Sequence, residues 1–215
     1  MFIHKRVRSS RIFTNRLLRE LRNCQTNFIT INAEVSRNIR WFLHFIPQFN
    51  GTATYVHNDP PNAHTLAIDA SLHRLGGIWD NKIYTVAIPD NVRNNKNIVH
   101  FEMVNIMIAL KIWNKHWQGK HIKFLVDNEA VVTVCNTGFT RDPWLATYIR
   151  NVWLICSTHD IHITVSHIYG RKNTMADLLS RWEGTQANHR LLREHVKNPE
   201  WEDVSIEAFE VNLEI

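Results

Sequence analysis

The sequence predicts an α/β fold: a mixed sheet of about five strands with helices packed on its faces, plus a short helical N-terminal appendage. Two observations predict it. Short apolar runs bounded by turn residues follow one another between His64 and Ile88, as in an antiparallel meander. Beyond Phe101, similar runs alternate with stretches of helical period, giving the order β-β-β-α-β-α-α-β-α.

The appendage comes first. Arg11–Arg22 places Ile12, Phe13, Leu17, Leu18 and Leu21 at near-helical spacing. A second helix is expected from Ala33 to Phe45, with Val35, Ile39, Phe42, Leu43 and Ile46 on one broad face. Neither helix can bury that face alone, so both must pack on something else. Asn50-Gly51 is a turn signal, and the polar, proline-containing stretch after it reads as a linker over 56–63. The chain therefore divides into a helical region 1–55, the linker, a core domain 64–182 and an acidic extension 183–215.

Within the core domain, Leu66–Asp69 reads as a strand, a second begins at Gly76-Gly77-Ile78-Trp79, and Lys82–Ile88 forms a third across a tight turn at Asp80-Asn81. Phe101–Trp117 carries Val104, Met107, Ile108, Leu110 and Ile112 in helical register, and Gly119 ends it. His121–Val126 is nearly continuous in apolar residues, as expected of a strand covered on both faces. Asn128 caps a helix that Asn136-Thr-Gly138 stops. Asp142-Pro143 starts the next, which reaches about Ser157. Ile161–Ile168 is the last strand, Tyr169–Lys172 a loop, and Asn173 or Thr174 caps a final helix through Ser180.

Composition narrows the class. A hydrophobic fraction of 44% with 21% charged residues is that of a globular domain. No apolar run is long enough to span a membrane. Cys24, Cys135 and Cys156 offer neither a disulfide framework nor a zinc spacing, which favours an intracellular site, cytoplasmic or nuclear. The net charge of +5 is uneven: residues 1–40 hold nine Lys and Arg against Glu20 and Glu34, whereas residues 183–215 hold eight acids against Arg190, Arg193 and Lys197. The basic front end suits a phosphate-rich partner or is a solvated helix face. No feature fixes an oligomeric state.

Four acids stand at places where function gathers. Asp69 lies in an apolar strand, where a carboxylate is costly unless paired or metal-bound. Glu102 lies in the first turn expected of the long helix, Asp127 at the C-terminal end of Phe-Leu-Val-Asp, and Asp177 inside the last helix. Taken singly, Glu102 is explained by the helix dipole and Asp127 by an ordinary turn. Together they fit the end of an α/β sheet, where strand termini and neighbouring helix starts converge. Four carboxylates repel one another, and a hard divalent cation removes that cost. Oxygen-only ligands favour Mg²⁺ or Mn²⁺, and two such ions suit phosphodiester cleavage.

The stretches LAIDAS, HFEMVNIMIAL, FLVDNEAVVTVCNTG and HIYGRKNTMADLLSRW resemble the ribonuclease H domain of retroelement reverse transcriptases. Gly170, Asn173, Ala176, Asp177, Leu179, Ser180 and Arg181 fit the ending of such domains. Asp127-Asn128 with Val131-Val132 and Asn136-Thr-Gly138 looks most like the DIRS-type, tyrosine-recombinase-encoding group. Arg11–Arg16, Ile39–Phe42 and Phe49–Gly51 resemble the thumb and connection region before the nuclease, and Glu200-Trp201 with Ile206 and Phe209 the linker after it.

The resemblance implies a ribonuclease H-like fold over about 64–182. It implies Asp69, Glu102, Asp127 and Asp177 as catalytic and metal-binding carboxylates for two Mg²⁺ or Mn²⁺ ions. The substrate would be an RNA–DNA hybrid, and the polymerase portion of a reverse transcriptase a further partner. Ser71 and Asn128 are either hydroxyl or phosphate contacts or turn caps, and Arg171 and Lys172 are candidate phosphate contacts. His167 is expected to be structural. Lys115, His116, Lys120 and His121 either track a DNA strand or are solvated. Trp113 and Trp153 belong to the core by period, whereas Trp117 falls off that pattern and stays open. No paired-aspartate polymerase turn occurs, so no DNA synthesis is expected. A catalytically silent fragment that binds nucleic acid or scaffolds is the alternative; a resolvase or integrase core fits the last helix less well.

Overall fold

The structure, a computed structural model, describes residues 31–48, 63–94 and 96–211, together with positions 14, 18, 21 and 22. Of the expected helix Arg11–Arg22, only those four positions are described, and they are helical. The expected turn at Asn50-Gly51 and residues 56–62 of the linker lie outside the described residues.

Helix α1 (Ala33–Phe45) precedes the sheet. Strands β1 (His64–Ala70), β2 (Arg74–Trp79) and β3 (Lys82–Ala87) form the antiparallel meander. A short helix α2 (Asp90–Arg93) leads to the long α3 (Ile98–Trp117), then β4 (His121–Val126), α4 (Glu129–Thr137), α5 (Pro143–Thr158), β5 (His162–His167) and α6 (Thr174–Ser180). Beyond the core domain come α7 (Gln186–His195) and a two-residue strand β6 (Glu200–Trp201). The sheet has six strands in the order β5-β4-β1-β2-β3-β6, one more than expected. β4 and β5 run parallel to β1, so the C-terminal ends of all three share one edge.

The strands form where the pattern placed them. Asp80 takes a positive φ of 55° in the β2–β3 turn, a conformation Asp tolerates better than most residues. Gly138 takes φ 68° and donates its N–H to the Val134 carbonyl, closing α4. Asp142 caps α5 through the Trp144 and Leu145 amides.

Other expectations are corrected. α3 opens at Ile98, because Asn97 and His100 form a reciprocal capping box there. Glu102 consequently sits in the second turn, where the dipole no longer accounts for it. Asn173 stands at the start of α6 without capping it; its amide instead donates to the Ile68 carbonyl of β1. On α1, Val35, Asn38, Trp41 and Phe45 are buried, while Ile39 and Leu43, and Ile46 just beyond its end, are exposed. The stacked Trp41 and Phe45 rings, 4.8 Å apart, offer more area than the aliphatic stripe and decide which side turns inward. That side rests on α5, where buried Arg150 donates to Asn38 Oδ1 at 3.2 Å. Trp117 is fully buried, edge-on to Trp79 and Phe124 beside Trp113. Trp153 is partly buried against the same core.

Two glycines set how closely layers approach. A Cβ on Gly76 would lie 2.5 Å from Leu179 Cβ and from the Ser180 nitrogen, so α6 rests directly on the β2 backbone. At Gly77 a Cβ would collide with the Tyr84 ring. One buried amide joins these layers at depth. Asn105, on α3, donates to the Asp69 carbonyl at 2.7 Å and the Gly76 carbonyl at 2.9 Å, and accepts from Tyr84 Oη at 2.5 Å. Asp69 and Gly76 are paired across β1 and β2, so a single side chain fastens α3 to both strands.

The acidic stretch after Arg181 packs on the domain. Leu192 and Val196 are buried with Ile83 and Leu179. β6 pairs with β3, and Phe209 reaches the main core. No helix among the described residues is long and apolar enough to cross a membrane.

Candidate metal centre

Parallel β1 and β4 deliver two acids to the same edge. Asp69 is the penultimate residue of β1, and Asp127 follows the last residue of β4. Glu102 enters from α3, which packs across β1. One potential ligand oxygen from each of Asp69, Glu102 and Asp127 lies within 4.8 Å of the others, a cluster capable of holding a divalent metal ion. Asp69 and Glu102 are buried, 5% and 1% exposed, and Asp127 is exposed. The site thus has a closed floor and an open mouth.

Hydrogen bonds fix the floor incompletely. Glu102 Oε1 accepts from the Ala70 amide at 3.1 Å. Its second oxygen, Oε2, is buried with no hydrogen-bond partner. Asp69 Oδ2 accepts a short hydrogen bond from the buried Ser180 hydroxyl. Burial pushes the Asp69 carboxyl up to about 6; the Ser180 bond opposes the rise, while the Asp127 and Asp177 charges add to it. Burial likewise carries Glu102 well above the ordinary carboxyl range, helped by the charges of Asp69 and Asp127. A buried, unpartnered carboxylate oxygen among like charges is the arrangement a hard cation relieves, and the all-oxygen donor set suits Mg²⁺ or Mn²⁺. The residues present fit such an ion.

Asp177 lies outside this cluster of three. Its Oδ1 accepts from Arg181 Nε at 2.7 Å, one helical turn on. Its charge still acts on Asp69. Ser71 caps the β1–β2 turn: its hydroxyl donates to the Arg74 carbonyl and accepts from the His73 and Arg74 amides. Asn128 Oδ1 caps α4 through the Ala130 and Val131 amides. Arg171 and Lys172 are exposed on a single 3-10 turn, Gly170–Lys172. That turn borders the centre, since a Cβ on Gly170 would lie 3.3 Å from Asp127 Oδ2. His167, expected to be structural, is exposed at the end of β5, its ring edge-on to Tyr169. Lys115, His116 and Lys120 are exposed, and His121 is partly buried in β4.

Sequence reasoning missed three residues that shape the site. Ser180 and Arg181 stand three and four positions after Asp177, a helical spacing that was readable. Asn105 stands three after Glu102, a lone amide in an otherwise apolar helical run.

Residues 79–183 match the protein-family model described as reverse transcriptase-like. The fold is ribonuclease H-like: a mixed sheet flanked by helices. Among solved structures, the chain is similar to the ribonuclease H1 of the halophilic archaeon Halobacterium salinarum NRC-1: 14% identity, TM-score 0.46, covering 55% of this chain and 94% of that one. It is similar to the N-terminal ribonuclease H domain of a Mycobacterium tuberculosis protein, solved as a maltose-binding-protein fusion: 14% identity, TM-score 0.43, covering 60% and 99%. A ribonuclease H1 isolated from compost by a metagenomic approach gives 16%, 0.40, 55% and 92%. No curated protein matches.

Proposed function

We propose that this chain hydrolyses the RNA strand of RNA–DNA hybrids, breaking internal phosphodiester bonds so as to leave a 3′-hydroxyl. The observation that carries the reading is the convergence of Asp69, Glu102 and Asp127, with Glu102 Oε2 buried and unpartnered. Asp69, Glu102 and Asp127, joined by Asp177, would hold two Mg²⁺ or Mn²⁺ ions. Bound ions would supply charge neutralisation at the phosphodiester and an activated water.

The remaining work falls to the chain itself. Ser180 holds the Asp69 carboxylate in one orientation. Asn105 holds the β1 backbone that carries it. The exposed Arg171 and Lys172 follow Gly170, which borders Asp127, and would contact a backbone phosphate, with Ser71 and Asn128 as further contacts. Hybrid recognition of this kind reads backbone shape and ribose 2′-hydroxyls rather than base sequence.

The family match supports an origin in a larger reverse transcriptase polyprotein, whose polymerase portion would be a partner. The motif resemblance favours the DIRS-type group. Such a domain would act inside the cell, in cytoplasm or nucleus, and would not synthesise DNA.

One observation favours a second reading, a catalytically silent fragment that binds nucleic acid or scaffolds. Asp177 is engaged by Arg181 rather than by the other three acids. The test is cleavage of a labelled RNA–DNA hybrid with Mg²⁺ or Mn²⁺, beside duplex DNA and single-stranded RNA. Cleavage confined to the RNA of the hybrid and lost in Asp127→Asn is the expected result. Folded protein that cleaves nothing with either metal would overturn it in favour of the silent fragment.

A further inference from the structure

The centre offers three carboxylates to a cation and withholds a fourth. We propose that Arg181 is a latch on Asp177, a resident cation that competes with the second metal ion for that carboxylate and holds the metal-loaded site at one ion until it is displaced. The inference rests on the metal-centre reading above and concerns how that centre fills.

Three observations carry it. Asp177 and Arg181 lie one helical turn apart on the edge of α6, with Arg181 Nε 2.7 Å from Asp177 Oδ1. Their side chains are 48% and 68% exposed, so the pair faces solvent and can open without disturbing the core. The centre beside it is built for a cation independently of Asp177, because Glu102 Oε2 is buried and unpartnered. Asp69 is bound to the same helix through Ser180, so Asp177 is held next to the cluster, not swung away from it.

An ion entering among Asp69, Glu102 and Asp127 finds one oxygen, Glu102 Oε2, without a hydrogen-bond partner. A second ion needs Asp177, and must take its oxygen from a guanidinium that binds it with a charge-assisted hydrogen bond. The Asp69 and Asp127 charges also act on Arg181, so the guanidinium belongs to the electrostatics of the centre. The two ions therefore bind with unequal affinity, and the gap is set by Arg181.

The test uses the full chain, without nucleic acid, titrated with Mn²⁺ in a calorimeter. The proteins are the parent, Arg181→Gln, Asp177→Asn and the double variant. Both side chains are exposed, and circular dichroism checks the fold of each protein. Arg181→Gln is expected to bind a second Mn²⁺ about fivefold more tightly than the parent, the upper end of what an exposed ion pair withholds. In the Asp177→Asn background the same substitution is expected to change nothing. A second site unaltered by Arg181→Gln overturns the latch. So does equal tightening with Asp177→Asn in place, which would make Arg181 a diffuse charge and not Asp177's partner. Either result leaves the metal centre standing if the parent binds Mn²⁺; no binding by parent or variant overturns the centre and the latch together.

Discussion

Asp69 carries an electrostatic cost that can be assigned a pH window. Its carboxyl stands at about 6 in the fold against an ordinary 3.8, so the folded metal-free protein holds this proton more tightly than the unfolded chain. Stability from this group is therefore fully present below about 4 and is lost as the pH rises through 6. The displacement corresponds to about 3 kcal/mol at neutral pH. Asp69→Asn removes the charge. The metal-free variant is expected to be at least as stable as the parent at pH 7.5, to lose its stability advantage below pH 4, and to show no thermal shift with Mn²⁺. Chemical denaturation across pH checks the first two, and a strong loss of metal-free stability at pH 7.5 would sink the assignment. Asp69 stood out in the sequence because a carboxylate in an apolar strand demands a compensating partner or ion. The pairing of Asp177 with Arg181 was not read, although both residues belong to the motif and stand four apart, because the motif assigns the acid to a metal and gives the arginine no partner.

Elements were legible in proportion to their period. β1 to β5 and α3 to α6 fall within a few residues of where the pattern put them, because each repeats a spacing several times. The failures have physical causes. α1 is apolar on more than one side, and which side is buried depends on what α5 presents, knowledge absent from its own thirteen residues. β6 has two residues and no period at all. Asn173 has the composition of a helix cap, yet a tertiary partner in β1 claims its amide. Gly76 also belongs to this scale, since its missing Cβ lets α6 lie on β2. Gly76→Ala places a methyl against the Leu179 Cβ and the Ser180 backbone, which cannot swing aside as a flexible side-chain end can. The expected cost is about 1–3 kcal/mol of stability, with α6 displaced and the Ser180 bond to Asp69 loosened. Urea denaturation measures the first, and a weakened Mn²⁺ thermal shift the second; an unchanged midpoint would mean that α6 is free to ride outward.

At the scale of the molecule, the acidic C-terminal stretch is part of the fold. Glu202 accepts from Trp113 Nε1 and pairs with Lys82, Lys111 donates to the Ala208 and Glu210 carbonyls, and Phe209 is buried. Removing residues 198–215 is expected to cost about 3 kcal/mol, the worth of Phe209 and its neighbours, and to lower the melting temperature accordingly. A truncated chain that melts with the parent would show that the segment only lies on the surface. Charge asymmetry and the linker-like Glu200-Trp201, Ile206 and Phe209 marked this segment in the sequence, and neither gave a hint of burial. The buried amide of Asn105 has a further consequence for the molecule as a device. Asp69 and Glu102 sit on β1 and α3, which that amide clamps into one stiff body. Asp127 hangs from a strand end, and Asp177 rides on a helix of seven residues. The centre thus has a fixed jaw and a compliant one. For an ion held there, changes in ionic radius would be taken up on the compliant side, while the deep oxygens keep their place.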